Sequence, residues 1–304
     1  MDSIGCNMAD SSTSFSEIRA LAAELPPVDS AIWEAAGAWA TTGAGSSFAN
    51  TAWIAKVQRR RAPQANHLRA AVFAAAHGIA ADSPEGSPAA VMHEVEAMIA
   101  GGEVPRLAED ADCELKLYEL AVQRPTRDSR LGPAMEEGDA AMAAAYGMMA
   151  IEPGLDAIAL ADLGSGPRFA AVSLGSALVG GIGVADPRIV AALARHRDVS
   201  DPLDLLAALG GPDIAAMLGT ILAARLAGVP VILDGAAAQA AAAIAWRLRP
   251  DAIAHCRLAA PPAEPSDFAR KLPLGSQLSH SLPTPQAGIA ALAALRAACA
   301  ASLA

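Results

Sequence analysis

The chain is poor in aromatic residues (4%) and in charge (18%), although 53% of its 304 residues are hydrophobic; alanine fills the difference. That composition excludes intrinsic disorder, which needs low hydrophobicity and high net charge, and it points to closely packed helices and small-residue layers. Cysteine is scarce: Cys6, Cys113, Cys256 and Cys299 lie far apart and form no CxxC pair. A disulfide framework or zinc finger is therefore not expected, and reduced thiols in a cytoplasm are. Positive charge is also short. The formal net charge is −10 and the pI about 5.0, which argues against nucleic-acid and anionic-membrane partners. The opening MDSIGCNMADSSTS has an early Asp and no apolar run, so no signal peptide is read there. The longest uncharged stretch, Phe169 to Ala185, is glycine-rich and short for a membrane span. It reads as a buried helix with its exit loop.

The missing motifs narrow the chemistry. There is no GxSxG elbow, no GxxxxGK[ST] phosphate loop, and no GxGxxG after a strand. The histidines, His67, His77, His93, His196, His255 and His280, offer no pair with metal-ligand helical spacing. Neither a metal nor a cofactor is expected.

What is present is an alternation of apolar strand and helix patterns. Strands are expected over 70–76, 113–122, 157–163, 229–233 and 252–258, with helices over 86–101, 134–150, 167–179, 187–196, 212–227, 236–248 and about 286–303. Such alternation predicts a Rossmann-like three-layer α/β body, its mainly parallel sheet covered by helices on both faces. Residues 1–69 read as a tail of about 20 residues followed by a helical part, with Trp33, Ala36, Trp39 and Trp53 as core contacts. Residues 70–285 form the body, and 286–304 a terminal helix that packs with the helical part. KVQRRR, ending at Arg61, reads as the solvated end of a helix.

A parallel sheet binds ligands at the carboxyl ends of its strands. That rule draws attention to His77-Gly78, to ADLGSGPRF at Ala161–Phe169, and to Asp234-Gly235. In ADLGSGPRF a strand ends in Asp162, Gly164 and Gly166 turn the chain, and Pro167 opens a helix. Glycines there admit positive φ and let a phosphate approach backbone N–H groups. LGGPDIAAMLG places Gly210 and Gly211 before Pro212 at another helix start, with Asp213 in its first turn. Each feature has a structural alternative: a tight turn with its capping acid, or an acid placed to suit the helix dipole.

In order, these segments resemble the nicotinate-nucleotide–dimethylbenzimidazole phosphoribosyltransferase family. Asp201 to Leu248 is similar to the family's GG-x-[DE]-IA-x-M helix start followed by PV-x-x-DG and an alanine-rich helix. Arg124 to Met135 resembles its GT-x-N…PAM segment, Ala161 to Gly166 its GEMGIGNTT, and Phe73 to Gly78 its A-x-DHG; the likeness runs from about residue 70 to 303. The resemblance implies that a benzimidazole nitrogen attacks C1′ of nicotinate mononucleotide, nicotinate leaves, and the anomeric configuration inverts. It also implies a homodimer acting on small-molecule substrates. By that likeness His77, Gly164, Gly166, Arg188, Gly210, Gly211, Asp213, Asp234 and Gly235 are substrate-binding candidates, with Arg188 standing where the family has a phosphate-contacting lysine.

The departures bear on catalysis. The family's LGEGTGAA carries the catalytic Glu; here the region reads PTPQAGIAA, and anchoring on Gly288 puts Pro285 at that position. A one-residue slip offers Thr284 or Gln286, neither of them a base at neutral pH. His255, followed by CRLAAPP, is all that remains of the family's histidine-and-acid stretch after the fifth strand. Asp162 is the carboxylate expected nearest the reacting sugar and is the candidate catalytic residue. Two readings follow: a phosphoribosyltransferase with slow turnover, or a catalytically impaired relative that binds nucleotide or serves as a partner subunit.

Overall fold

A computed structural model describes residues 14–28, 46–164, 166–180, 186–262 and 268–303. Trp33, Ala36 and Trp39, Ser165 between the two turn glycines, and the end of the 169–185 run lie outside those residues. The chain begins with helix α1 (Phe15–Glu24) and α2 (Ser46–Gln58), then β1 (Leu68–Ala74), α3 (Pro88–Ile99), α4 (Glu103–Asp110) and β2 (Glu114–Glu119). Next come α5 (Glu137–Met148), β3 (Ala157–Leu163), α6 (Gly166–Val179), α7 (Pro187–Arg195), α8 (Pro202–Leu209) and α9 (Pro212–Ala227). β4 (Val231–Asp234), α10 (Ala236–Leu248), β5 (Cys256–Leu258) and α11 (Gln286–Leu303) complete it.

The five strands form one parallel sheet in the order β2-β1-β3-β4-β5. β1 and β3 pair in register from Leu68↔Ala157 to Ala74↔Leu163. The chain winds outward from β1 to β2 and from β3 to β5, so the order reverses between β1 and β3. A sheet of this order opens a ligand crevice at that reversal, beyond the carboxyl ends of the two strands.

Side chains alternate between two covered faces, as the two-residue strand period demands. Ala71, Phe73, Ile158, Leu160, Val231 and Leu233 join the core beneath α5, α6, α9 and α10. Ala70, Ala157, Ala159 and Ile232 pack under α2 and α11, while Val72, Ala74, Ala161 and Leu163 pack under α3. Alanine lets helices approach closely: Ala237, Ala238 and Ala240–Ala243 of α10 are fully buried. α5 and α9 cross backbone to backbone. A Cβ on Gly147 would meet the Ala216 carbonyl at 1.8 Å, a Cβ on Gly219 would meet that of Ala144 at 1.8 Å, and Thr220 Oγ1 donates to the Gly147 carbonyl at 2.7 Å.

Proline and small polar residues set where helices start. Ser87-Pro88, Asp186-Pro187 and Asp201-Pro202 each place a capping oxygen before a proline whose missing N–H needs no partner in the first turn. Among the described residues no helix is long and apolar enough to cross a membrane.

Several boundaries differ from expectation. The tail is already helical at Phe15, where Ser14 and Glu17 form a capping box. α1 lies on α5, α9 and α10 rather than with the terminal helix; Arg19 pairs with Asp201 at 2.7 Å, and Arg225 donates to the Pro26 carbonyl at 2.9 Å. α2 is the helix that packs on α11. β1 ends at Ala74, although Ala74 and Ala76 carbonyls still accept Leu120 and Thr126 N–H groups beyond the ladder.

Candidate active site at the carboxyl edge of the sheet

The two edges of the sheet treat charge in opposite ways. Near the start of β1, the buried Arg69 is fully partnered: it bonds Glu114 at 2.7 Å, Glu152 at 3.1 Å and the Ala150 carbonyl at 2.8 Å. At the carboxyl edge, Asp162 Oδ1, Asp213 Oδ1 and His77 Nδ1 are buried without a hydrogen-bond partner. Unsatisfied buried polar atoms are rare in folded proteins, and clusters of them mark sites where function outweighs stability.

The first group centres on His77, which follows β1. Its Nε2 lies 3.1 Å from Asp213 Oδ2, and both side chains are wholly buried. Asp213 is in the first turn of α9, so it serves as more than an acid suited to the helix dipole: it pairs with a histidine 136 residues away. Gly211 makes room for this pair, since a Cβ there would lie 2.1 Å from His77 Cε1 and 2.7 Å from Asp213 Oδ1. Gly166, at the start of α6, faces the other side of the same imidazole, with its Cβ position 3.5 Å from His77 Cβ and Cδ2. Gly166 and Gly211 therefore converge on one side chain. Thr126, in the loop after β2, accepts the Gly78 N–H at 3.0 Å and holds the His77 turn.

The second group joins the ends of β3 and β4. Asp234 accepts the Thr284 hydroxyl at 2.9 Å and the Gly288 N–H at 2.6 Å. Gly235, at φ 88°, has a Cβ position 2.3 Å from Asp162 Oδ1 and 3.1 Å from Thr284 Oγ1, so only glycine fits between them. Burial pushes the Asp162 carboxyl up to about 8, and the negative charges of Asp213 and Asp234 add to the shift. Burial likewise pushes Asp234 up to about 7, against the lowering effect of the Gly288 and Thr284 donors. At neutral pH the cluster thus retains protons, as carboxyls that share a dry site must.

Other sequence candidates fall elsewhere. Arg188 stacks on the Phe169 ring at 3.8 Å and pairs with Asp186 at 3.0 Å, on the rim of the carboxyl edge. Gly210 ends α8, and a Cβ there would strike Leu206 Cδ1 and the Leu206 carbonyl at 2.7 Å, so it answers to packing rather than to an open cradle. Gly164, at φ 92°, turns the chain beneath Val91 of α3. His255 precedes β5 rather than following it, and its Nε2 lies 3.0 Å from the Ile221 carbonyl; burial lowers it to about 3, which keeps the ring neutral and structural.

Sequence reasoning offered Thr284 only as a one-residue slip. It set Pro285 at the place of the family's glutamate, whereas Thr284 is the residue aimed at Asp234 and Gly235. An ungapped reading of LPTPQAG, without the anchor on Gly288, yields that alignment.

Fold and site together define a doubly wound α/β protein with a buried acid-and-histidine cluster at its switch point. The family model DBI_PRT, described as phosphoribosyltransferase, matches residues 48–185 and 187–301, and the chain belongs to that family. Two similar relatives are the nicotinate-nucleotide–dimethylbenzimidazole phosphoribosyltransferases of Brucella anthropi and Brucella melitensis biotype 1. They are 37% identical over 233 and 234 residues, spanning 70% of this chain and 69% of each relative. A solved structure of the enzyme of that name from Thermus thermophilus shares the fold, with a TM-score of 0.73 at 24% identity over 94% of both chains.

Proposed function

We propose that the protein transfers the phosphoribosyl group of nicotinate mononucleotide to a benzimidazole-type base, a step toward the lower ligand of cobalamin. The observation that carries this reading is the unpartnered acid-and-histidine cluster at the β1/β3 crevice of a chain belonging to the DBI_PRT family. In this reading Gly164, Gly166 and the start of α6 receive the phosphate, where backbone N–H groups and the helix dipole favour an anion. Arg188 swings from the rim to neutralise it. Asp213 and His77 fix the floor of the crevice, with Gly211 holding them in place, and Asp234 and Gly235 line the sugar.

Asp162 is the proposed catalytic carboxyl. Protonated at neutral pH, it donates a hydrogen bond to the sugar or the leaving nicotinate; it ionises as the pH passes about 8 and then accepts the acceptor's proton. General-base assistance of this kind contributes about 10²–10⁴-fold. A threonine at position 284 in place of a carboxylate favours slow turnover, with binding outlasting catalysis, and that residue is also what supports the second reading of a nucleotide-binding relative without turnover.

The proposal extends to a homodimer in the cytoplasm. An exposed stripe runs along α5 and the residue after it, at Met142 (63%), Tyr146 (41%) and Met149 (67%), beside a groove of about 820 Å³ that reaches Thr126 and Pro212 at the edge of the site. Such a contiguous apolar face suits a second copy of the chain. Light scattering at micromolar concentration reads the mass directly, and a monomer would refute this part. For the activity, incubation with nicotinate mononucleotide should release nicotinate only when dimethylbenzimidazole is present; release that ignores the acceptor would overturn the transferase reading.

A further inference from the structure

The segment that follows β2 straps three parts of the carboxyl edge together. At its start, Thr126 Oγ1 accepts the Gly78 N–H at 3.0 Å and the Thr126 N–H donates to the Ala76 carbonyl at 3.1 Å, so the strap is zipped to the turn that carries His77. The fit is close: a Cβ on Gly78 would lie 2.4 Å from the Thr126 carbonyl oxygen. At its end, the Ala134 and Met135 N–H groups donate to the Ala208 and Ala207 carbonyls of α8 at 3.1 and 2.9 Å. Between these points His196, which caps the end of α7, donates from Nε2 to the Ser129 carbonyl at 2.9 Å. α7 is the helix that carries Arg188.

Arg130 stands in the middle of the strap. Asp128 Oδ1 accepts both the Arg130 backbone N–H and its Nε at 2.9 Å, and Asp128 Oδ2 pairs with Nη2 at 2.7 Å. That two-point contact fixes the plane of the guanidinium. Its Nη1 then reaches across to Asp82 Oδ2 at 3.0 Å, in the loop after β1. Asp82 lies two residues beyond Ala80, and Ala80 Cβ is 3.6 Å from the Cβ position of Gly166 at the start of α6. The bridge therefore joins the strap to the far end of the turn that begins at His77 and leans on Gly166. The Arg130 and Asp82 side chains are 26% and 55% exposed, and ion pairs so open to water add little to stability. What this one fixes is the place of a loop between two groups of the site.

We infer that Arg130 is a positioning residue for the nucleotide donor, an inference that rests on reading the crevice as the donor site. Arg130 does not touch the donor. Held by Asp128 and bridged to Asp82, it keeps the His77 turn seated on the start of α6, whose backbone N–H groups are to receive the phosphate. Without the bridge the turn keeps its backbone bonds to Thr126, but its far end is untied at Ala80 to Asp82. Donor binding then carries the cost of ordering that end.

The test is calorimetry of nicotinate mononucleotide with wild type, Arg130→Ala, Asp82→Ala and the double variant. Each single variant should raise Kd about fivefold, and the double variant should be no worse than either single one, because both changes break the same bridge. In turnover with dimethylbenzimidazole the loss should fall on KM for nicotinate mononucleotide and not on kcat. If Arg130→Ala does not fold, Asp82→Ala, whose side chain is mostly in solvent, carries the comparison with wild type. A wild-type Kd in the single variants, even with a lower urea midpoint, would make the bridge merely structural and overturn the inference; so would losses that multiply in the double variant, or a loss in kcat at unchanged Kd. A wild type that does not bind nicotinate mononucleotide would overturn the donor-site reading and this inference with it. A wild type that binds it but forms no ribotide would overturn the transferase reading alone, and the Kd comparison would still decide the role of Arg130.

Discussion

Replacing Asp162 by Asn should remove a loss of stability that grows with pH. The folded state holds the Asp162 proton to about pH 8, against an ordinary value of 3.8 in the unfolded chain. Between those values the native state binds more protons than the unfolded state, so its stability falls as pH rises through the window. Each unit is worth about 1.4 kcal/mol, so from pH 5 to pH 8 the wild type loses at most about 4 kcal/mol on this account. Water entry and small shifts of Asp234 and Gly235 relieve part of that, and we expect about 2 kcal/mol. The asparagine keeps the shape and does not titrate. Urea unfolding of both proteins at pH 5 and pH 8 isolates the effect, because contributions from other groups cancel in the difference between variant and wild type. The variant's stability relative to the wild type should rise by about 2 kcal/mol between pH 5 and pH 8. A difference that does not change with pH, or one that falls as pH rises, would refute the assignment of Asp162 as a carboxyl held under strain for function.

Other outcomes follow from the same geometry. Gly211→Ala drives a methyl group into the His77–Asp213 pair and should cost about 1–3 kcal/mol in urea unfolding, the cost of overpacking and of parting a buried hydrogen-bonded pair. Gly166→Ala, with ordinary contacts at 3.5 Å, should leave stability within about 1 kcal/mol while weakening nicotinate mononucleotide in calorimetry, since the methyl group narrows the crevice. Thr284→Glu should raise turnover and Pro285→Glu should not, because Thr284 is the side chain directed at Asp234; initial rates of the two variants decide between the positions. Saturating nicotinate mononucleotide should raise the melting temperature even where turnover is slow, a stabilisation of about 2.7 kcal/mol at a hundred times Kd.

The elements that were legible in the sequence are those bounded by punctuation. β3 stops at Gly164, β4 at Asp234-Gly235, and α9 starts at Gly211-Pro212, so an apolar run between such residues gave the strand or helix within a residue or two. α1 and α8 were not anticipated as helices: α1 is short and amphipathic, and α8 is an eight-residue segment set off by Asp201-Pro202 and Gly210. The candidate site was legible as a sheet edge and not as contacts. A glycine in a sequence signals that room is needed, but not for what: Gly211 makes room for His77 and Gly210 for Leu206, where an anion cradle had been read. The partnership of His77 with Asp213 spans 136 residues and leaves no local trace. Thr284 was one residue from the chosen position, and only its hydroxyl on Asp234 separates it from Pro285.

The most direct test is a single reaction of the full chain with nicotinate mononucleotide and dimethylbenzimidazole, analysed for both products. The account predicts one α-configured ribotide phosphate formed for each nicotinate released, at a rate that rises toward pH 8 and falls in Asp162→Asn. Absence of ribotide together with absence of any thermal stabilisation by nicotinate mononucleotide would contradict it.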